Sequence, residues 1–178
     1  GARGMGALTY EPEIGPGRAT PSAIDMRKLV EEARMALNAH LLNMGGHDAL
    51  REIIRVGTSA GGAQAKAVVA WNKATGEFLA GQENLPLGFE HWLIKFTPVG
   101  LPSAGEEEYG IYLKAKAAGI SMSECRLHEL DGVKHFMTKR FDRDRSSRHL
   151  VQTLCALMHL PMGGPRALYT YETLFETA

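Results

Sequence analysis

Val56-Gly57-Thr58-Ser59-Ala60-Gly61-Gly62-Ala63-Gln64-Ala65-Lys66 is a run of small residues ending in a lysine. It lies between two apolar runs, Ile53-Ile54-Arg55-Val56 before it and Ala67-Val68-Val69-Ala70-Trp71 after it. β-branched segments on either side of a glycine cluster predict two strands joined by a turn with an open backbone at its tip. With almost no side chain, Gly61, Gly62 and Ala63 let backbone N–H groups approach an anion closely, and Lys66 adds a point charge. The same stretch also reads as an ordinary glycine-rich turn with no ligand.

The spacing excludes a Walker A loop, which needs two glycines five apart, then Lys and Ser or Thr at the opening of a helix. Here Lys66 is followed by Ala67 and a β-branched run, which favours a strand. A glycine-rich hairpin over nucleotide phosphates is the arrangement of protein kinases. A second element fits it. Glu90-His91-Trp92-Leu93-Ile94-Lys95-Phe96-Thr97-Pro98 is an apolar strand carrying one lysine near its end. A buried ammonium must be paired, so Lys95 calls for a carboxylate and an anionic ligand. The candidate partner is Glu108, within the acidic opening of a helix, Glu106-Glu107-Glu108-Tyr109-Gly110-Ile111-Tyr112-Leu113-Lys114-Ala115. Acidic residues at a helix start are favoured by the helix dipole as well, which accounts for the cluster without any lysine.

The order of these parts resembles the HipA-like serine/threonine kinase family, toxins of toxin–antitoxin systems. The resemblance rests on Gly62-Ala63-Gln64-x-Lys66, the Ile94-Lys95 strand, Glu108-Tyr109 in the helix that follows, and Arg140-Phe141-Asp142-Arg143. It implies that Gly61, Gly62, Ala63, Gln64, Ala65 and Lys66 hold the ATP phosphates and that Lys95 contacts them. It further implies that Lys139, Arg140 and Phe141 form the hinge meeting the adenine through backbone groups. Ser59 falls where the family carries an autophosphorylated serine that ejects the loop and silences the kinase; Thr58 offers a neighbouring hydroxyl. A phosphoserine there would compete for the N–H donors and repel the nucleotide. The implied cofactors are ATP and Mg²⁺, and the implied partners are a protein substrate in the translation machinery and a DNA-binding antitoxin.

Phosphoryl transfer also needs an Asp to position the substrate hydroxyl and Asp or Asn side chains for Mg²⁺. The family's Asp-Gly-His-x-x-Asn type of catalytic loop is not found. His40-Leu41-Leu42-Asn43 and Asp131-Gly132-Val133 are superficial echoes at the wrong place in the order. No catalytic residue and no metal ligand is therefore assigned, the Mg²⁺ ligands are expected outside this chain, and the chain alone is expected to be inactive. The expectation is a fragment of a longer kinase. The alternative is a non-catalytic protein-binding module in which the glycine hairpin is structural.

The 178 residues suffice for one domain with a real core. Twenty basic and twenty acidic residues balance, which gives no support for a nucleic-acid binder. Arg140, Arg143, Arg145 and Arg148, interrupted by Asp142 and Asp144, read as a solvated face or partner site. Cys125 and Cys155 fit no ligand spacing and predict reduced thiols of a cytoplasmic protein, and seven scattered histidines show no metal pair. No apolar run reaches a membrane span and no secretory signal is present.

Read along the chain, the fold class is α+β: a kinase-like N-lobe of twisted antiparallel sheet plus helices, followed by the first helices of a C-lobe. The expected divisions are 1–21 as the end of a preceding subdomain and linker, 22–143 as the ATP-binding lobe, and 144–178 as the start of the helical lobe. Strands are expected at Gly6 to Tyr10, Ile53 to Val56, Ala65 to Asn72, Glu77 to Ala80 and Trp92 to Thr97, with a turn over Asn72 to Gly76. Cys125 to Leu130 and Lys134 to Phe141 alternate around the hairpin turn Asp131-Gly132. A helix from Ile24 to Leu42 carries Met26, Leu29, Val30, Ala33, Leu37 and Leu41 at helical spacing, with Ser22 or Asp25 at its start and Met35 counted with the core. The tail from Arg148 to Leu160, and again from Tyr169, is expected to be helical.

Overall fold

The computed structural model describes residues 6–8, 11–12, 22–41, 64–80, 85–144, 147–160, 170, 172 and 175–176. They form a mixed α+β structure. In chain order the elements are β1 (Ser22–Ala23), α1 (Met26–Leu41), β2 (Lys66–Asn72), β3 (Phe78–Ala80), β4 (Phe89–Lys95), α2 (Ala104–Ala117), β5 (Cys125–Leu130), β6 (Val133–Lys139), β7 (Arg143–Asp144), β8 (Ser147–Arg148) and α3 (Leu154–Leu157). Six strands make one antiparallel sheet in the order β1-β3-β2-β4-β6-β5, and β7 pairs with β8.

Turn chemistry sets the sheet's register. Asn72 Oδ1 accepts hydrogen bonds from the N–H groups of Ala74 and Thr75, closing the β2–β3 turn. Asp131 and Gly132 both adopt positive φ, 49° and 76°, the backbone that a two-residue hairpin with right-handed strand twist requires. That turn fixes β5 against β6 from Leu130↔Val133 to Cys125↔Thr138. β2 runs along β4 for seven residue pairs, from Asn72↔Phe89 to Lys66↔Lys95.

Side chains alternate across the pleat, so the two faces differ. One carries Ala67, Val69, Trp92, Ile94 and Met137, which form a single core with Met26, Leu29, Val30 and Ala33 of α1. The helix starts at Asp25, whose Oδ1 accepts from the Arg27 and Lys28 N–H groups, so Asp25 rather than Ser22 is the cap. Its buried positions recur at i, i+3, i+4 and i+7. Met35 is nine residues beyond Met26, half a turn out of phase, and is 49% exposed, which corrects its assignment to the core. The side chains of Leu37 and Leu41 lie outside the described residues.

Several expected boundaries move. Gly6 and Ala7 stand in a turn, not a strand. Ile53 to Val56 lies outside the described residues. β4 begins at Phe89 because its pairing with β2 continues to the Asn72 turn, and ends at Lys95 because the Thr97 N–H donates to His135 Nδ1 instead of a strand carbonyl. β6 ends at Lys139, two residues short of Phe141. The stretch expected to be helical from Arg148 is strand β8 at its start, and the His149 N–H donates to the Asp142 carbonyl. Only Leu154–Leu157 is helical before Leu160, nucleated where Thr153 Oγ1 accepts from the Ala156 N–H.

The arginine cluster is the largest departure. Arg140 and Arg143 are 4% and 5% exposed and flank Asp142, 1% exposed, so the part of the cluster expected as a solvated face or partner site that they form is a buried knot, while Arg148 is half-buried and Arg145 lies outside the described residues. Arg140 Nε and Nη2 donate to the two Asp142 oxygens at 2.8 and 2.6 Å, and the Gly6 N–H donates to Asp142 Oδ2 at 2.7 Å. Burial alone would raise the Asp142 carboxyl. The bidentate Arg140, the Gly6 amide and the charge of Arg143 reverse that and hold it at about 2. Burial also pushes the Cys125 thiol up, as expected for an inert, packed cysteine.

Candidate functional site

The face of the sheet opposite α1 carries Lys66 and Lys95. Lys66, the first residue of β2, is directly opposite Lys95, the last of β4, and Lys95 is directly opposite Phe136 on β6. Residues opposed in an antiparallel ladder share a face, so two ammonium groups and an aromatic ring form one row across three strands. α2 lies along β5 and β6 and supplies Glu108, which pairs with Lys95 Nζ. The same ammonium stands 5.6 Å from the Phe136 ring centroid. Lys66 has no ion-pair partner among the described residues.

Two lysines directly opposite one another destabilise a sheet unless a negative group lies between or beside them. Glu108 offsets one charge of the two. The remaining positive charge, at the base of a glycine-rich connection, has the donor chemistry of an anion site. Gln64 Nε2 donates to the Phe96 carbonyl at 3.4 Å, and the Phe96 N–H donates to the Ala65 carbonyl at 2.8 Å, so the two residues before Lys66 are tied to the end of β4. Of the residues singled out from the sequence, the structure thus brings together Gln64, Ala65, Lys66, Lys95 and Glu108. Ser59, Gly61, Gly62 and Ala63 lie outside the described residues.

Lys139, Arg140 and Phe141 stand at the other end of the β4–β6 ladder, where Lys139 is opposite Trp92. Lys139 Nζ reaches Glu90 Oε1 at 2.5 Å, and Lys73 Nζ lies 3.3 Å from the other Glu90 oxygen. Partial burial would raise the Glu90 carboxyl, but the two lysines hold it below the usual carboxylate range. The Lys139 and Arg140 N–H groups donate to the Glu124 and His91 carbonyls, while Phe141 is 66% exposed. Three features escaped sequence reasoning: Phe136 beside Lys95, the close seat of α2 at Gly105, and the Asp142 knot. Counting on from the Asp131-Gly132 turn puts Phe136 on one face of β6 with Lys134 and Thr138, but its place opposite Lys95 comes from the β4–β6 register.

The HipA-like C-terminal domain family matches residues 58–178, two thirds of the chain and all the elements of this site. The chain belongs to the HipA-like family. No curated protein matches it. In this HipA-like chain the match starts ahead of β2, so the Lys66–Lys95–Glu108 group lies within the family's domain whereas β1 and α1 precede it. Among the described residues no three His, Cys, Asp or Glu side chains are grouped so as to hold a metal ion. No helix among them is long and apolar enough to cross a membrane.

Proposed function

We propose that this chain is the ATP-binding portion of a HipA-like serine/threonine kinase, folded as a kinase-like N-lobe. The observation that carries the reading is the opposition of Lys66 and Lys95, with Glu108 of α2 orienting one ammonium and leaving the other charge for phosphate oxygens. An ion-paired strand lysine next to a glycine-rich connection is the arrangement by which kinases hold and polarise a nucleotide. Bound ATP would supply the phosphoryl group to a hydroxyl of a protein in translation. The chain's own residues grip the phosphates through Lys66, Lys95 and the glycine-rich amides, and meet the adenine through backbone groups near Arg140 and Phe141. Phosphorylation of Ser59 would place a dianion among those amide donors and close the site. A DNA-binding antitoxin is the partner this reading implies, and Mg²⁺ would take ligands from outside the described residues.

The test is the melting temperature with and without Mg²⁺-ATP. Stabilisation by nucleotide is expected in the native chain and its loss in Lys95→Ala. Unchanged stabilisation in Lys95→Ala would remove the lysine from the site, and Ser59→Asp should bind more weakly than the native chain. A second reading, a non-catalytic protein-binding module, is favoured by exposed Ile111, Leu113, Ile120 and Met122 on and after α2. It predicts no nucleotide response.

A further inference from the structure

α2 is an unusual helix to find packed on a sheet. Its one buried residue is Gly105, in its first turn. A Cβ built on Gly105 would stand 2.2 Å from the Lys134 carbonyl oxygen, 2.7 Å from Thr97 Oγ1 and 3.1 Å from the Lys134 carbonyl carbon. Two of those three atoms are backbone of β6, so no side-chain rotation relieves the clash. Thr97 Oγ1 donates to the same carbonyl at 2.6 Å, and the Thr97 N–H donates to His135 Nδ1 at 3.0 Å. The start of α2, the residue two past the end of β4 and the start of β6 therefore meet at one point with no room for a methyl group. Glu108 is three residues along the helix from Gly105, on the same side.

We infer that Gly105 is a positioning residue for the Lys95–Glu108 pair: by letting α2 rest directly on the Lys134 carbonyl, it sets how far Glu108 reaches toward β4. Restoring ordinary van der Waals separation for a methyl group at Gly105 requires a displacement of about 1 Å or more. A hydrogen-bonded ion pair does not follow such a shift without losing its geometry. Gly110 of the same helix is the internal control, because a Cβ there meets nothing within 4 Å.

Lysine side-chain NMR on the full chain reads the pair directly. In the native chain Glu108→Gln shifts the Lys95 Nζ resonance. In Gly105→Ala the resonance already stands displaced, and adding Glu108→Gln moves it no further. Gly110→Ala keeps the native resonance and melts higher, as expected when an alanine replaces a glycine inside a helix. A folded Gly105→Ala chain in which Lys95 still responds fully to Glu108→Gln would overturn the proposal. Should Gly105→Ala fail to fold, Thr97→Val keeps the glycine and puts a methyl group in place of the hydroxyl that bonds the Lys134 carbonyl, at the same crowded point. A reduced Glu108 response is then expected, and a full one overturns the proposal. A parallel Mg²⁺-ATP titration rests on the nucleotide reading above: binding about tenfold weaker in Gly105→Ala and unchanged in Gly110→Ala is expected. If the native chain takes up no ATP while the resonances behave as described, the nucleotide reading falls and the positioning role of Gly105 stands.

Discussion

The two long helices are attached to the same sheet by opposite physics. α1 presses Met26, Leu29, Val30 and Ala33 into an apolar core shared with Val69, Trp92, Ile94 and Met137. α2 buries a single glycine and is held at its edges by ion pairs, Lys95–Glu108 and Lys134–Glu106. Burial of large apolar side chains is worth several kcal/mol and tolerates small shifts, whereas partly exposed ion pairs are worth about 1 kcal/mol or less and depend on geometry. The α1 attachment therefore supplies stability, and the α2 attachment holds charges in place. The family match begins after α1, so the stabilising helix comes from outside the domain whose charged face it supports.

The sharpest way to break this comparison is Leu29→Ala. It should cost about 3 kcal/mol in urea denaturation, the usual consequence of an empty core position. Should Glu108→Gln cost as much, the distinction between the two helices is wrong. The next largest effect concerns the attachment that belongs to neither helix. Asp142 is ionised in the folded state down to about pH 2, against an ordinary value of 3.8, so its contribution is complete above pH 5. That contribution falls away as pH drops through 4 toward 2, about 2 kcal/mol in all. Urea midpoints measured across this range should decline in the native chain and decline less in Asp142→Asn. Smaller again, Glu108→Gln should change stability by about 1 kcal/mol or less while weakening Mg²⁺-ATP roughly tenfold. The smallest effect is expected from Lys134→Gln, which breaks an exposed pair and should leave the melting temperature unchanged in moderate salt.

The sheet was largely legible because its strands between Lys66 and Lys139 carry β-branched or aromatic residues or, in β5, alternate beside a turn whose chemistry is local. The Lys95–Glu108 pair was legible too, since a lone lysine in an apolar strand demands a carboxylate and Glu108 heads the next helix. The opposition of Lys66 and Lys95 was not, because register between β2 and β4 depends on a pairing that spans the β3 excursion. Charge misled at Arg140 and Arg143: their sequence neighbours are polar, and only the fold shows that Asp142 and the Gly6 amide make their burial affordable. The expected helix from Arg148 failed at its start, where pairing of Arg148 with Arg143 competes with the helix and wins.

The Gly6 amide and the Asp142 carboxylate lie 136 positions apart in the chain. The entropy lost in closing so large a loop is recovered cheaply only once the intervening strands have already brought its ends together. That corner acts as a seal on a finished molecule, set last during folding and, because its carboxylate titrates at about 2, kept closed by its charge until the solution is strongly acidic. A fluorophore at Leu8 would distinguish a chain whose assembly is complete from one that has merely formed its sheet.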